Sequence, residues 1–271
     1  MRTLKNHVIL FDNECPMCYV YTKTLVKTGM LAEDGREAYQ NMPQNVCPLV
    51  DRQRAANEIA LVNTENGEVT YGIQSLFKII AHAMPIFKPL FLFGPFVYLM
   101  RKFYAFISYN RKVIIPAAVK EDSIQPSFKL HYRIAYLLFT WSVTAYFLTA
   151  YAHLLIDFVL LGGQYREYLI CGGQMFFQGG IILFYKKEKL WDYLGNMMTI
   201  SFAGALMLLP VLVLARYFSI APIFFIIYFF MVAGLMFLEH IRRSKLLKLG
   251  WVMSIAWALY RLIILGLIFS L

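Results

Sequence analysis

The sequence predicts a chain in two parts, a small α/β domain followed by an all-α domain of about five membrane-crossing helices. Three observations carry this. The 271 residues are 59% hydrophobic and 15% charged, with a mean hydropathy of +0.56, whereas a soluble domain is roughly 45–50% apolar and roughly 25% charged. Long apolar stretches recur after residue 130. The residues before it alternate short β-like runs with helical patterns and hold most of the acidic side chains. So apolar a chain is not disordered, and no repeat of ~20–50 residues suggests a solenoid.

The apolar stretches run over approximately 132–158, 168–185, 194–214, 219–238 and 250–270, each long enough for a hydrocarbon core of about 30 Å. Glycines at 172, 173, 179 and 180 mark the second as a place for close helix contact. Lys186, Lys187 and Lys189 separate the second and third stretches, and Arg242, Arg243, Lys245 and Lys248 the fourth and fifth. The alternate loops offer only Arg166 and Arg216. Lys/Arg-rich loops stay in the cytosol, which places the N-terminal domain there and the C-terminus outside. The opening residues agree with this orientation. Met1 to His7 leads into a short apolar run that ends at Asp12, too short for the ~7–15-residue core of a secretory signal.

Within the stretches, or near their ends, stand His153, Asp157, Gln174, Gln178, Asn196, Glu239, His240 and Arg261. Hydrogen bonds between helices are the expected role of these groups. Asp157, Glu239 and His240 fall near stretch ends within reach of water, while Arg261 lies deep. Cys171 is solitary and expected to pack as a small residue.

Residues 84–130 differ from both parts. From Val69 to Lys120 there are seven basic residues and no acidic one, with aromatics interleaved. Pro85, Lys88, Pro89, Gly94 and Pro95 argue against a sixth span over 84–100. A basic, aromatic segment suits an anionic membrane surface, and the same residues could also cap the soluble domain. The net charge of +10 and pI near 9.4 are accordingly ascribed to anionic lipid as partner and not to nucleic acid. The expected domains are therefore 1–83, 84–130 and 131–271.

In the first domain Val8–Phe11 reads as a buried strand, Asp12-Asn13-Glu14 as a turn, and residues 16–29 as a helix. Pro16 suits the first helical position, where its missing N–H has no partner anyway. Gly29 suits the C-terminal cap. Cys15 then sits at the helix N-terminus, with Cys18 one turn on and on the same face. Unpaired N–H groups and the positive end of the helix dipole favour a thiolate there. In Cys-x-x-Cys motifs the attacking thiol's pKa falls below its free value. Cys15 is thus expected as the exposed nucleophile and Cys18 as the thiol that resolves the mixed disulfide. Asp12 is expected to relay a proton as Cys18 is activated, or else to cap the helix.

Three uses of the pair stay open: dithiol redox chemistry, Cu(I) held by Cys15 and Cys18 beside Met17, and simple packing. A zinc site would want a second cysteine pair, and Cys47 and His82 each stand alone. No cofactor is required. Residues 58–71 hold two strand-like runs around Asn66-Gly67, a hairpin signal, and 74–83 read as a helix. Residues 30–57 show no clear strand. Strand, Cys-x-x-Cys, helix, hairpin and final helix is the order of a trimmed thioredoxin-like core. Pro48, after Cys47, is the candidate for a proline facing the dithiol.

The segment FDNECPMC resembles the Asp-x-x-Cys-Pro-x-Cys signature of the DCC-type thiol-disulfide oxidoreductase family, small thioredoxin-like proteins. EIALVNTENGEVTYGIQSLFKII is similar to that family's hairpin and following helix, and Tyr109-Asn110-Arg111 to its closing segment. Asn13 stands where the family usually has a small, glycine-type residue. The resemblance covers residues 7–112 and implies a redox enzyme with Asp12, Cys15 and Cys18 in its active site. A protein or small-molecule thiol or disulfide is the expected substrate.

Overall fold

Val8–Phe11 are β-branched or bulky apolar residues, which extended backbone accommodates, and they lie in the strand at the centre of the fold's sheet. This computed structural model describes residues 2–41, 50–118, 126–156, 158 and 162–270. The chain is mostly helical with a small four-stranded sheet, and it divides into two compact units, Met1–Tyr132 and Arg133–Leu271.

In the first unit the strands are β1 (His7–Phe11), β2 (Arg36–Ala38), β3 (Ala60–Asn63) and β4 (Val69–Tyr71), ordered β2-β1-β3-β4. β1 pairs parallel with β2 and antiparallel with β3, and β3 pairs antiparallel with β4. The parallel step from β1 to β2 needs a crossover, and helix α1 (Pro16–Lys27) supplies it. Helices α2 (Arg52–Asn57) and α3 (Ile73–Ala83) complete the α/β layers. Side chains along β1 alternate between faces. Ile9 packs with Leu25 of α1 and Ile79 of α3, and Leu10 packs with Ala55 and Ala56 of α2.

The local signals explain the element ends. Pro16 opens α1, and Gly29 follows it in left-handed conformation at φ 72°, its N–H donating to Val26 O. In the hairpin Gly67 takes φ 72°, and Asn66 Oδ1 accepts from Glu68 N at 2.9 Å. β2 corrects the expectation of no strand in 30–57. Arg36-Glu37-Ala38 has no apolar alternation of its own, and its extended form comes from pairing with Ile9–Phe11. Cys47 and Pro48 lie outside the described residues.

The segment after α3 is a short 3-10 turn, Pro85–Phe87, helix α4 (Lys88–Leu92) and helix α5 (Gly94–Ile114). Pro85–Leu92 and Gly94–Ile114 meet at a 90° bend. Ile86, Leu92, Phe93, Tyr98, Leu99 and Phe103 are exposed, whereas Ser108, Asn110, Arg111 and Val113 near the end of α5 are buried. Tyr104 Oη accepts from Ile59 N at 3.1 Å, which fastens α5 to the start of β3. The second half of α5 is therefore part of the α/β unit.

The second unit comprises α6 (Leu130–Ala152, entering from the first unit), α7 (Arg166–Lys186), α8 (Leu190–Leu214), α9 (Pro222–Leu246) and α10 (Val252–Ser270). Each overlaps one expected apolar stretch, but α9 runs on to Leu246 and so takes in Arg242, Arg243 and Lys245, which were expected in the loop after it. Among the described residues three helical stretches are long and apolar enough to cross a membrane: Leu130–Leu155, Arg166–Leu214 and Pro222–Leu246. The bent pair around residue 93 makes a fourth only if taken as one span, and Val252–Ile268 is shorter.

The stretch Arg166–Leu214 joins two of the expected helices, and the chain reverses within it. Lys186 leaves helical geometry at φ −155°, ψ 76°. Tyr193 Oη donates to Gln178 Oε1 at 2.8 Å across 15 residues, a separation of ~22 Å along a straight helix. Tyr193 Oη also lies 3.1 Å from His240 Nε2, and His240 Nδ1 is 3.0 Å from Ser254 Oγ. His240, expected within reach of water, is buried instead, because α8 and the first turn of α10 both pack on it. Arg243 joins Glu239 and Asn196. Asp157 lies outside the described residues.

Candidate active site

The expected residues converge where β1 ends and α1 begins. Cys15 is the N-cap of α1, in extended conformation, and its Sγ accepts from Cys18 N at 3.4 Å. Helices begin with unpaired N–H groups. Here a sulfur takes the role usually played by the oxygen of Ser, Asp or Asn. Cys18 lies one turn deeper, and Phe11, Cys15, Cys18 and Ala38 form one packed cluster bordered by Met17 and Tyr21.

The two thiols are unequal. A hydrogen bond from the Cys18 thiol, together with Arg111 and the Cys18 backbone N–H, outweighs burial and lowers Cys15 to about 7. The same hydrogen bond and burial push Cys18 above the usual thiol range. Arg111 and Tyr21 act on Cys18 in the opposite direction and are outweighed. One expectation is corrected. Cys15 is only 7% exposed, against 3% for Cys18, since Phe11, Ala38 and Tyr21 close around it. Its lowered pKa comes from the hydrogen bonds and charge around the sulfur, not from exposure.

Asp12 does not cap the helix; Cys15 does. Asp12 Oδ1 accepts from Glu14 N at 3.0 Å and from Gln40 Nε2 at 2.8 Å, while Gln40 Oε1 accepts from Asn13 N at 3.2 Å. Gln40, just after β2, thus clamps the turn that presents Cys15. The other oxygen, Oδ2, meets Arg111 Nη2 at 3.2 Å, with the two side chains 7% and 4% exposed.

Arg111 comes from near the end of α5 and also donates to Ala56 O and Asn57 O, the final carbonyls of α2, the latter at 3.3 Å. Such carbonyls lack partners within their own helix, so one guanidinium satisfies a helix end and a buried carboxylate together. Residue patterns alone showed Arg111 as one basic residue among seven. The only pointer to it was the Tyr109-Asn110-Arg111 segment that closes the family resemblance.

Chemically, the site offers a low-pKa thiol, a second thiol within one turn and a fixed positive charge beside both. Among the described residues no group of three or more His, Cys, Asp or Glu side chains is placed to hold a metal ion. No protein-family model, no curated protein and no solved structure matches the chain.

Proposed function

We propose that the chain is a membrane-anchored thiol-disulfide oxidoreductase in which Cys15 and Cys18 cycle between dithiol and disulfide. The observation that carries this reading is the placement of the two sulfurs, Cys15 Sγ capping α1 and accepting from Cys18 N while Cys18 lies one turn deeper, which lowers the first thiol and raises the second. The Cys15 thiolate attacks one sulfur of a substrate disulfide, forms a mixed disulfide and releases the first substrate thiolate. Cys18 then loses its proton and attacks Cys15 Sγ. The mixed disulfide breaks, the second thiolate leaves, and a Cys15–Cys18 disulfide remains. The substrate gains two electrons and the protein loses two, so a thiol reductant must restore the dithiol. Asp12, held by Arg111, is the nearby carboxylate to which we assign the Cys18 proton.

Two further features support the reading. The β2-β1-β3-β4 sheet, with Cys15 at the N-cap of α1 and Cys18 in its first turn, supports reading the unit as a trimmed thioredoxin-like core. The motif resembles that of the DCC-type family. For the second unit we propose five membrane-crossing helices, α6 to α10, with the Lys/Arg-rich loops and the redox domain on the cytosolic side. The reversal at Lys186–Lys189 supports counting α7 and α8 separately. The exposed apolar and aromatic residues of Pro85–Phe103 would rest on the lipid surface.

Equilibration of the purified chain with mixtures of reduced and oxidised dithiothreitol tests the assignment. The expected result is one two-electron transition with loss of two thiols, absent in Cys15→Ser and in Cys18→Ser. Thiols that stay reduced at every ratio, with Cu(I) bound by both sulfurs alike, would replace the enzyme with a metal-binding module.

A further inference from the structure

β2 lies at the sheet edge, and its register sets Arg36 beside Ile9 and Ala38 beside Phe11. Side chains of paired residues share a face, so Arg36 stands on the α1 side with Phe11, and Glu37 on the other, where it accepts from Asn41 Nδ2 at 2.8 Å. The Arg36 guanidinium carbon lies 4.4 Å from the Phe11 ring centre and 4.6 Å from that of Tyr19. Tyr19 is one helical turn after Cys15, and its N–H donates to Cys15 O at 3.0 Å. Lys23 follows one turn later, with Nζ 3.4 Å from Tyr19 Oη. Two cations and an exposed phenol therefore line one strip beginning at Cys15.

Neither cation has a carboxylate partner among the described residues. Arg36 Nε and Nη2 are buried without a hydrogen-bond partner, although two aromatic faces fix the guanidinium's orientation. Arg36 as a whole is only partly buried, and its charge, held in place by the two rings, adds to that of Lys23 along the strip. Lys23 and Tyr19 are exposed, so an anion can reach the strip from solvent.

We infer that Arg36, Lys23 and Tyr19 form a carboxylate-binding subsite beside Cys15, which makes disulfides bearing a carboxylate near the scissile sulfur the preferred substrates. This rests on the oxidoreductase reading and adds its substrate class. Binding there holds the anionic half of the disulfide while Cys15 attacks its sulfur, and the released half leaves as an acidic thiolate.

The test uses the reduced full-length protein and three symmetric disulfides of differing charge: 3,3′-dithiodipropionic acid, 2-hydroxyethyl disulfide and cystamine. The readout is the second-order rate of thiol loss at low ionic strength. The expected order is dicarboxylate, then neutral, then diamine, with the extremes separated by about tenfold or more and converging as salt screens the charges. Arg36→Gln and Lys23→Gln should each narrow that ratio, the dicarboxylate losing the most rate. Lys5→Gln, at the opposite end of β1, removes the same charge and should leave the ratio as it is. Lys23 is exposed, so its variant keeps the test sound even if Arg36→Gln impairs folding.

Oxidised glutathione and a disulfide-linked peptide with aspartates flanking its cysteine then separate a small acidic thiol from an acidic protein segment. The subsite predicts that whichever is the source reacts faster than its amidated counterpart. Equal rates for all three disulfides, or a ratio unmoved in both variants, would overturn the subsite while leaving the oxidoreductase intact. Failure of every disulfide to oxidise the dithiol would remove both.

Discussion

Arg111 Nη2 lies 3.2 Å from Asp12 Oδ2 across 99 residues of chain, and both side chains are almost fully buried. This ion pair ties α5 to the turn that presents Cys15. Its geometry links stability to chemistry, because the same guanidinium lowers the Cys15 thiol. A buried pair contributes little beyond a well-packed apolar replacement, but removing one partner strands the other charge at a cost of about 3–5 kcal/mol. Arg111→Met should therefore destabilise the first unit by about 3 kcal/mol, while Asp12→Leu combined with Arg111→Met should cost less than the sum of the single changes. Hydrogen exchange at the β1 amides, compared across the four proteins, checks this coupling.

A thiol lowered to about 7 gives the reaction a pH signature. Alkylation of Cys15 by iodoacetamide should reach half its maximal rate near pH 7, with Cys18 unreactive over the same range. In Arg111→Met the midpoint should move upward, since a positive charge beside the thiolate is lost. Stability follows the same sign. A thiol whose pKa is lower folded than unfolded stabilises the protein above the unfolded value near 9 and loses that contribution as pH falls through 7. Relative to Cys15→Ser, the reduced protein should gain stability between pH 7 and pH 9.

How much of this was legible in the sequence varies by element. Pro16, Gly29 and Asn66-Gly67 act through local backbone geometry, so α1 and the hairpin could be placed from composition and spacing. The place of Cys15 at the start of α1 followed directly, but its sulfur as the cap, in place of Asp12, did not. β2 could not be found this way because Arg36-Glu37-Ala38 is extended by its neighbour's hydrogen bonds, not by its own pattern. Arg111 and Gln40 reach the site through tertiary folding and leave no spacing signal near Cys15. In the second unit the charges of Lys187-Glu188-Lys189 marked the reversal between α7 and α8. Burial of His240 depends on Tyr193 and Ser254, residues distant in sequence.

The proposed membrane topology gives a third expectation. Reporters inserted after Lys187 and after Arg243 should report a cytosolic position, and reporters after Gly163 and at Leu271 an external one. A cytosolic report at Leu271 would make the number of crossings even and revive residues 84–100 as a membrane segment.

The segment Pro85–Phe103 should lie at the lipid surface rather than in water. Tyr98→Trp places a fluorophore on its exposed face. In reconstituted vesicles, quenchers near the headgroups should reduce the added emission more than quenchers at the bilayer centre. Stronger quenching by an aqueous quencher such as iodide would place the segment in solvent.

The central claim is that Cys15 attacks and Cys18 resolves, and trapping tests it most directly. Reduced Cys18→Ser and Cys15→Ser proteins, each mixed with 2-hydroxyethyl disulfide, are analysed by intact mass. A stable mercaptoethanol adduct on Cys15 is expected in Cys18→Ser, released by dithiothreitol, with little adduct on Cys18 in Cys15→Ser. Equal adducts on both sulfurs, or none on either, would contradict it.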